Sequence, residues 1–96
     1  MNEKLLLPAR LDSAAVRALA QAIQARRGHP LTIDAQQVEL AGALGLQLLV
    51  AAHRQWQEAG IAFRLTGAEH GLLDMCQTLG VPPREIGTAP GEEAAA

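Results

Sequence analysis

The residues able to do chemistry are few and widely spaced. Histidines stand at positions 29, 53 and 70, too far apart for a local metal site, and Cys76 follows the last of them by six residues. On a helix six residues is about 600 degrees of rotation, so Cys76 and His70 point apart and form no dyad. His70 and Asp74 share a face at i, i+4, the spacing of an ordinary exposed charge pair. Cys76 falls on an apolar stripe with Leu72 and Leu79, where a thiol packs as a small hydrophobe. His29 precedes Pro30 in a loop, and His53 borders the apolar side of a helix. Gly42 and Gly45 lack the Lys-Ser/Thr that completes a phosphate loop. Asp34 and Glu39 flank a turn, with neither a base nor a nucleophile at readable spacing. Catalysis needs convergent polar groups in a concave site. The sequence offers none, so no enzymatic activity, metal or cofactor is expected.

Composition narrows the field further. A chain of 96 residues fits one domain that buries roughly three fifths of its unfolded surface. Hydrophobic residues are 49% of it, but the aromatics are only Trp56 and Phe63. The core must therefore be built from Leu, Ala, Val and Ile. Eight basic residues are scattered over a chain of net charge −2, so no stripe exists to neutralise phosphates, and nucleic acid is not expected as a partner. The start MNEKLLLPARLD carries an early acid and only three leucines in a row, unlike a signal peptide. No apolar run nears the ~18 residues of a membrane span. A lone cysteine agrees with a reducing compartment. These features predict a cytoplasmic protein without direct membrane insertion.

The elements that position these residues alternate. Lys4–Leu7 is a short apolar run closed by Pro8, which suits a strand at or near a sheet edge. Asp12 or Ser13 caps a helix through Arg27, with Val16, Leu19, Ala20 and Ile23 at helical spacing and Gly28 as its stop. Arg26 and Arg27 suit the negative end of its dipole. Leu31–Asp34 reads as a strand, Ala43–Ala59 as a helix ended by Gly60, Ile61–Leu65 as a strand, and Ala68–Leu79 as a helix ended by Gly80. The order β, α, β, α, β, α predicts an α/β fold with helices packed on a sheet. Residues 1–81 are expected to form a single domain. From Pro82 the chain turns to Gly, Pro, Glu and Ala, so residues 82–96 are expected to be a disordered tail.

One stretch stands out. Val38 to Leu49 reads VELAGALGLQLL, a helix start with a single charge. Leu46, Leu49, Val50 and His53 make one stripe, continued by Trp56; Leu44, Leu48 and Ala51 make another. Leu44 and Leu46 differ by about 200 degrees, so a single sheet cannot cover both. Either a neighbouring helix or the Gly28–Leu31 loop covers the rest, or the helix start is an exposed apolar patch that binds another protein.

This stretch resembles the central motif of the STAS domain, the family of sulphate transporters and anti-sigma factor antagonists. In that motif a strand ending in Asp leads through V-x-x-(apolar)-Asp-(Ser/Thr)-x-Gly-(Leu/Ile)-x-x-Leu into a helix. Val38, Ala41, Gly45, Leu46 and Leu49 fall on their places without gaps. The resemblance runs from about Leu5 to Val81 and includes LPARLD, LTIDAQQVE, AFRLTG and LLDMCQTLGV. It implies a mixed β-sheet with helices mainly on one face. Two departures matter: Gly42 replaces the motif's Asp, and Ala43 replaces the Ser or Thr that a partner kinase phosphorylates. In the family, that phosphate adds about −1.5 to −2 charges to the binding face and breaks the complex. Ala43 cannot be so modified, while Gly42 is still a tolerable N-cap.

The resemblance implies a non-enzymatic interaction module that binds through Leu40, Gly42, Ala43, Leu44 and Gln47. The form of the motif is most like stand-alone bacterial STAS proteins found with chemotaxis genes, whose partner would be a signalling kinase or a receptor-associated component. Alternatives are a STAS subunit docking on the ATPase of a phospholipid-transporting ABC system and an anti-sigma factor antagonist in a partner switch. A second copy of the chain is a further candidate partner. Nucleotide binding at the amides of Gly42 to Gly45 is disfavoured, since no Lys or Arg stands beside that turn in the sequence.

Overall fold

The computed structural model describes residues 3–68 and 70–88. Three parallel strands form the main sheet: β1 (Glu3–Leu6), β3 (Leu31–Asp34) and β5 (Phe63–Thr66), in the order β1-β3-β5. A second parallel pair joins β2 (Arg10–Leu11) to β4 (Leu40–Ala41). The helices are α1 (Ser13–Gln24), α2 (Ala43–Ala59) and α3 (His70–Leu79). The α/β class read from the sequence holds, and every described strand pair is parallel, in two small sheets. β2 and β4 have two residues each, too short to leave a periodic signal in the sequence.

Register explains how the sheet divides inside from outside. Leu5, Ile33 and Leu65 align in one row across the three strands, and Leu31 aligns with Phe63 in another. Leu31, Ile33, Phe63 and Leu65 are all buried. The intervening rows are Lys4-Thr32-Arg64 and Leu6-Asp34-Thr66, where Lys4, Leu6 and Arg64 are exposed. Alternation of period two on aligned strands thus gives one apolar face and one largely polar face. On the polar face Lys4 Nζ lies 3.7 Å from the Asp34 carboxylate. Asp34 also accepts from the Gln36 N–H at 2.9 Å, which starts the turn after β3.

The helices close the apolar face. α1 begins at Asp12, whose carboxylate accepts from the Ala15 N–H at 2.9 Å, and the regular helix ends at Gln24 rather than Arg27. Three tight i→i+3 turns then carry the chain to Gly28. The Arg26 guanidinium donates to the Ala22 carbonyl at 2.8 Å, as a cation near the helix end should. α2 has the bounds its periodicity predicts and ends at Gly60 in the left-handed conformation. Leu46, Leu49, Ala52 and Trp56 form its buried face. Trp56 donates from its indole N–H to the His29 carbonyl at 2.8 Å, satisfying its polar edge inside the core.

α3 sits close against β4. A Cβ on Gly71 would meet the Glu39 carbonyl carbon at 2.5 Å, so only glycine permits this approach. Leu72 and Cys76 are buried as the stripe predicts, but Leu79 is 44% exposed. It lies in the last turn of α3.

The expected boundary at residue 81 falls too early. Pro83–Ile86 form a 3-10 turn, and Ile86 is fully buried. Gly87 then accepts from the Leu65 N–H at 3.0 Å, covering the outer edge of β5. The buried Ile86, the Leu65–Gly87 backbone hydrogen bond and a hydrogen bond from His53 Nδ1 to the Glu85 carbonyl at 3.0 Å seat a segment that has no periodic pattern. The remainder of the expected tail, 89–96, lies outside the described residues.

Candidate partner-docking surface

The start of α2 is set by its neighbours more than by its own capping. β4 pairs with β2 so that Leu11 and Ala41 turn inward while Leu40, opposite Arg10, turns out. Gly42 follows in an extended conformation (φ −90°, ψ 170°), and its N–H donates to the Leu11 carbonyl at 3.3 Å. Its carbonyl accepts the first helical bond, from Leu46 N–H at 3.2 Å. No side chain caps this helix. Gly45 lets the first turn seat against Leu11 and α1: a Cβ there would lie 3.2 Å from Leu11 Cβ and 3.5 Å from Val16 Cγ2.

All five residues expected at a partner interface are exposed in this arrangement. Leu40 and Leu44 flank the Gly42-Ala43 cap with 61% and 62% of their surfaces in solvent. Gln47 lies one turn beyond Leu44. Neither the neighbouring helix nor the Gly28–Leu31 loop covers this end. Leu46, two residues from Leu44 and on the opposite side of the helix, is buried. The second stripe splits in the same way: Leu48 is half-buried and packs on the core, whereas Ala51 is exposed.

Two hollows adjoin these residues. One, of about 440 Å³, is lined by Arg10, Leu11, Asp12, Leu40, Ala41 and Gly42. The other, of about 420 Å³, runs between α2 and the end of α3, lined by Gln47, Val50, Ala51, Leu79 and Val81 among others. Arg10, Leu79 and Val81 are thus surface neighbours that sequence reasoning missed. Arg10 also corrects the statement that no cation stands beside the α2 start: the β2–β4 pairing brings it there from thirty residues away. Asp12 shares that hollow, so an anion would meet both signs of charge.

The remaining candidates are dispersed. His29 is an exposed loop residue whose carbonyl receives Trp56. The His70 side chain, and with it the His70-Asp74 pair, lies outside the described residues. Cys76 is buried, and burial pushes its thiol above the usual range, which keeps it neutral and unreactive. No cluster of three or more metal-ligating side chains occurs among the described residues. Of the hydroxyls, Thr78 donates to the Asp74 carbonyl at 2.9 Å and Thr66 to that of Ile33 at 3.5 Å.

The fold agrees with a comparison across protein families. A family model described as Mlab, STAS domain matches residues 2–82. The chain belongs to the STAS domain family. STAS domains generally mediate protein–protein contacts, including those of anti-sigma factor antagonists, and are generally non-enzymatic. No curated protein gives a significant match to the chain. In this STAS domain no described helix is long and apolar enough to cross a membrane. The match ends at residue 82, before the 3-10 turn that completes the core.

Proposed function

We propose that this STAS domain is a non-enzymatic docking module of bacterial signalling that binds a protein partner through the start of α2, without a phosphorylation switch. Chemotaxis is the pathway the motif favours, with a signalling kinase or a receptor-associated component as partner. The observation that carries the reading is the exposure of Leu40 and Leu44 on either side of Gly42-Ala43. Burying a leucine against a partner contributes about 1.5–3 kcal/mol, so two of them supply useful affinity from a small area. Ala43, in place of a phosphorylatable hydroxyl, leaves the contact constitutive and hands regulation to the partner.

The matched family is described by the name Mlab and not by a chemotaxis or sigma-factor role, so a second reading stands beside the first. In it the same face docks on the ATPase of a phospholipid-transporting ABC system. An anti-sigma partner switch is the third reading, and the absent hydroxyl counts against its phosphorylated form.

Leu44→Asp tests the docking face. The side chain is already in solvent, so circular dichroism and thermal unfolding should be unchanged. A partner captured by the unaltered protein and identified by mass spectrometry should bind the variant at least tenfold more weakly, because a carboxylate would be desolvated at the contact. Undiminished capture would remove Leu44 from the interface. The partner's identity, whether kinase, ATPase or anti-sigma factor, separates the three readings.

A further inference from the structure

A third hollow lies further along α2 and shares Val50, Arg54 and Glu85 with the hollow between α2 and the end of α3. Val50, His53, Arg54 and Gln57 of α2 line it together with Arg84 and Glu85 of the 3-10 turn, around about 350 Å³. Arg84 and Glu85 lie beyond residue 82, where the match to the family model ends.

His53 is held from two sides. Its Nδ1 lies 3.0 Å from the Glu85 carbonyl oxygen. A carbonyl only accepts, so Nδ1 carries the proton and donates to it in both the neutral and the cationic ring. The ring packs on Phe63, with centroids 5.5 Å apart and planes at 46°, and Phe63 packs in turn on Trp56 at 5.7 Å. Nε2 is left as the ring nitrogen without a partner among the described residues. Arg54 and Arg84 likewise form no ion pair among the described residues, although Glu85 shares the hollow with them. Two guanidinium forks, a side-chain amide and one oriented imidazole therefore border one space.

We propose that this hollow binds an oxyanion: a carboxylate, or a tetrahedral group of the sulfate or phosphate type. Guanidinium forks match the paired oxygens of such groups. The charged groups facing His53 are Arg54 on its own helix and Arg84 and Glu85 on the turn, while β5 presents only Phe63.

Inorganic sulfate is the probe for a tetrahedral group, and acetate provides the carboxylate arm. Each is titrated into the full chain while the His53 ring C–H and the Trp56 indole N–H are followed by NMR. The expected result is a saturable shift at His53. Arg84→Ala should weaken binding by about tenfold, the loss of one charge-assisted contact. Gln57→Glu, an exposed change that adds a like charge, should abolish binding and leave thermal unfolding as it was. Saturation by sulfate alone assigns a tetrahedral ligand, and by acetate alone a carboxylate. No saturable shift with either anion, or shifts unaltered by both substitutions, would overturn the proposal.

Discussion

α1 and α2 begin against each other and begin differently. At α1, the Asp12 carboxylate accepts from the Ala15 N–H at 2.9 Å, and Ser13 and Ala14 follow in solvent. At α2 the equivalent positions are Gly42, which has no side chain to cap with, and then Ala43 and Leu44. An N-cap is worth about 1 kcal/mol over alanine, yet the longer helix does without a side-chain cap. It can do so because its stability comes from further along: Leu46, Leu49, Ala52 and Trp56 are buried, whereas α1 buries only Leu19 and Ile23. A helix anchored by its body is released from optimising its first turn. That turn can then carry a surface chosen for contact, and the polar start of α1 is the internal control.

The strongest way to break this comparison is to unseat the α2 start without touching its exposed side chains. Gly45→Val would place a branched side chain where even a Cβ lies 3.2 Å from Leu11 and 3.5 Å from Val16. Overpacking of this kind costs about 1–3 kcal/mol. Chemical denaturation should show that loss, and partner binding should fall with it because Leu40 and Leu44 would be carried apart. If stability holds, the two helix starts are not packed as tightly as the distances state.

Asp12→Ala attacks the control. Removing the carboxylate leaves the Ala15 N–H without its cap and should cost about 1 kcal/mol. For a chain of this size that is a fall in Tm of about 4–8 °C, read by calorimetry. The docking face should still bind its partner. Loss of binding at unchanged stability would mean that the Asp12 charge, which borders the same hollow as Leu40, belongs to the interface.

Much of this was legible in the sequence, and unevenly so. The α2 bounds and the strand Leu31–Asp34 follow from periodicity and turn residues, and helical angles put Leu44 and Leu46 on different sides of α2, while leaving open which side a neighbour would cover. The identity of the neighbour on each side is not encoded in that way. Arg10 reaches the α2 start through a two-residue strand pair, and Gly71 touches Glu39 across a distance no local pattern spans. Spacing puts Leu79 on the buried stripe of α3, but the side chain is 44% exposed, because a period does not say how far along a helix its neighbours extend. Ile86 was missed for the opposite reason: a single anchor in a Pro- and Gly-rich segment has no period to detect, yet it fills the core and brings Arg84 and Glu85 up to His53.

Gly42→Asp gives the smallest change in stability and the sharpest reading of the comparison, since it gives α2 the cap that α1 has. Gly42 already holds the extended conformation of a cap residue, and the nearest atom to an added Cβ is the Leu11 carbonyl oxygen at 3.6 Å, an ordinary contact. An aspartate fits there without strain and can accept from the Gly45 N–H, as Asp12 does from Ala15. Replacing glycine by a better cap gains a few tenths of a kcal/mol, and a carboxylate at the positive end of the helix dipole adds a comparable amount. Thermal unfolding should therefore move up by a few degrees at most. Partner binding should move the other way, because the new charge sits between Leu40 and Leu44 and must be desolvated on contact. Opposite signs in the two measurements would establish that this helix start gives up stability for an uncharged surface. A gain in both would instead make the missing cap incidental to binding, and a loss of stability would show that the amides of the first turn are already satisfied.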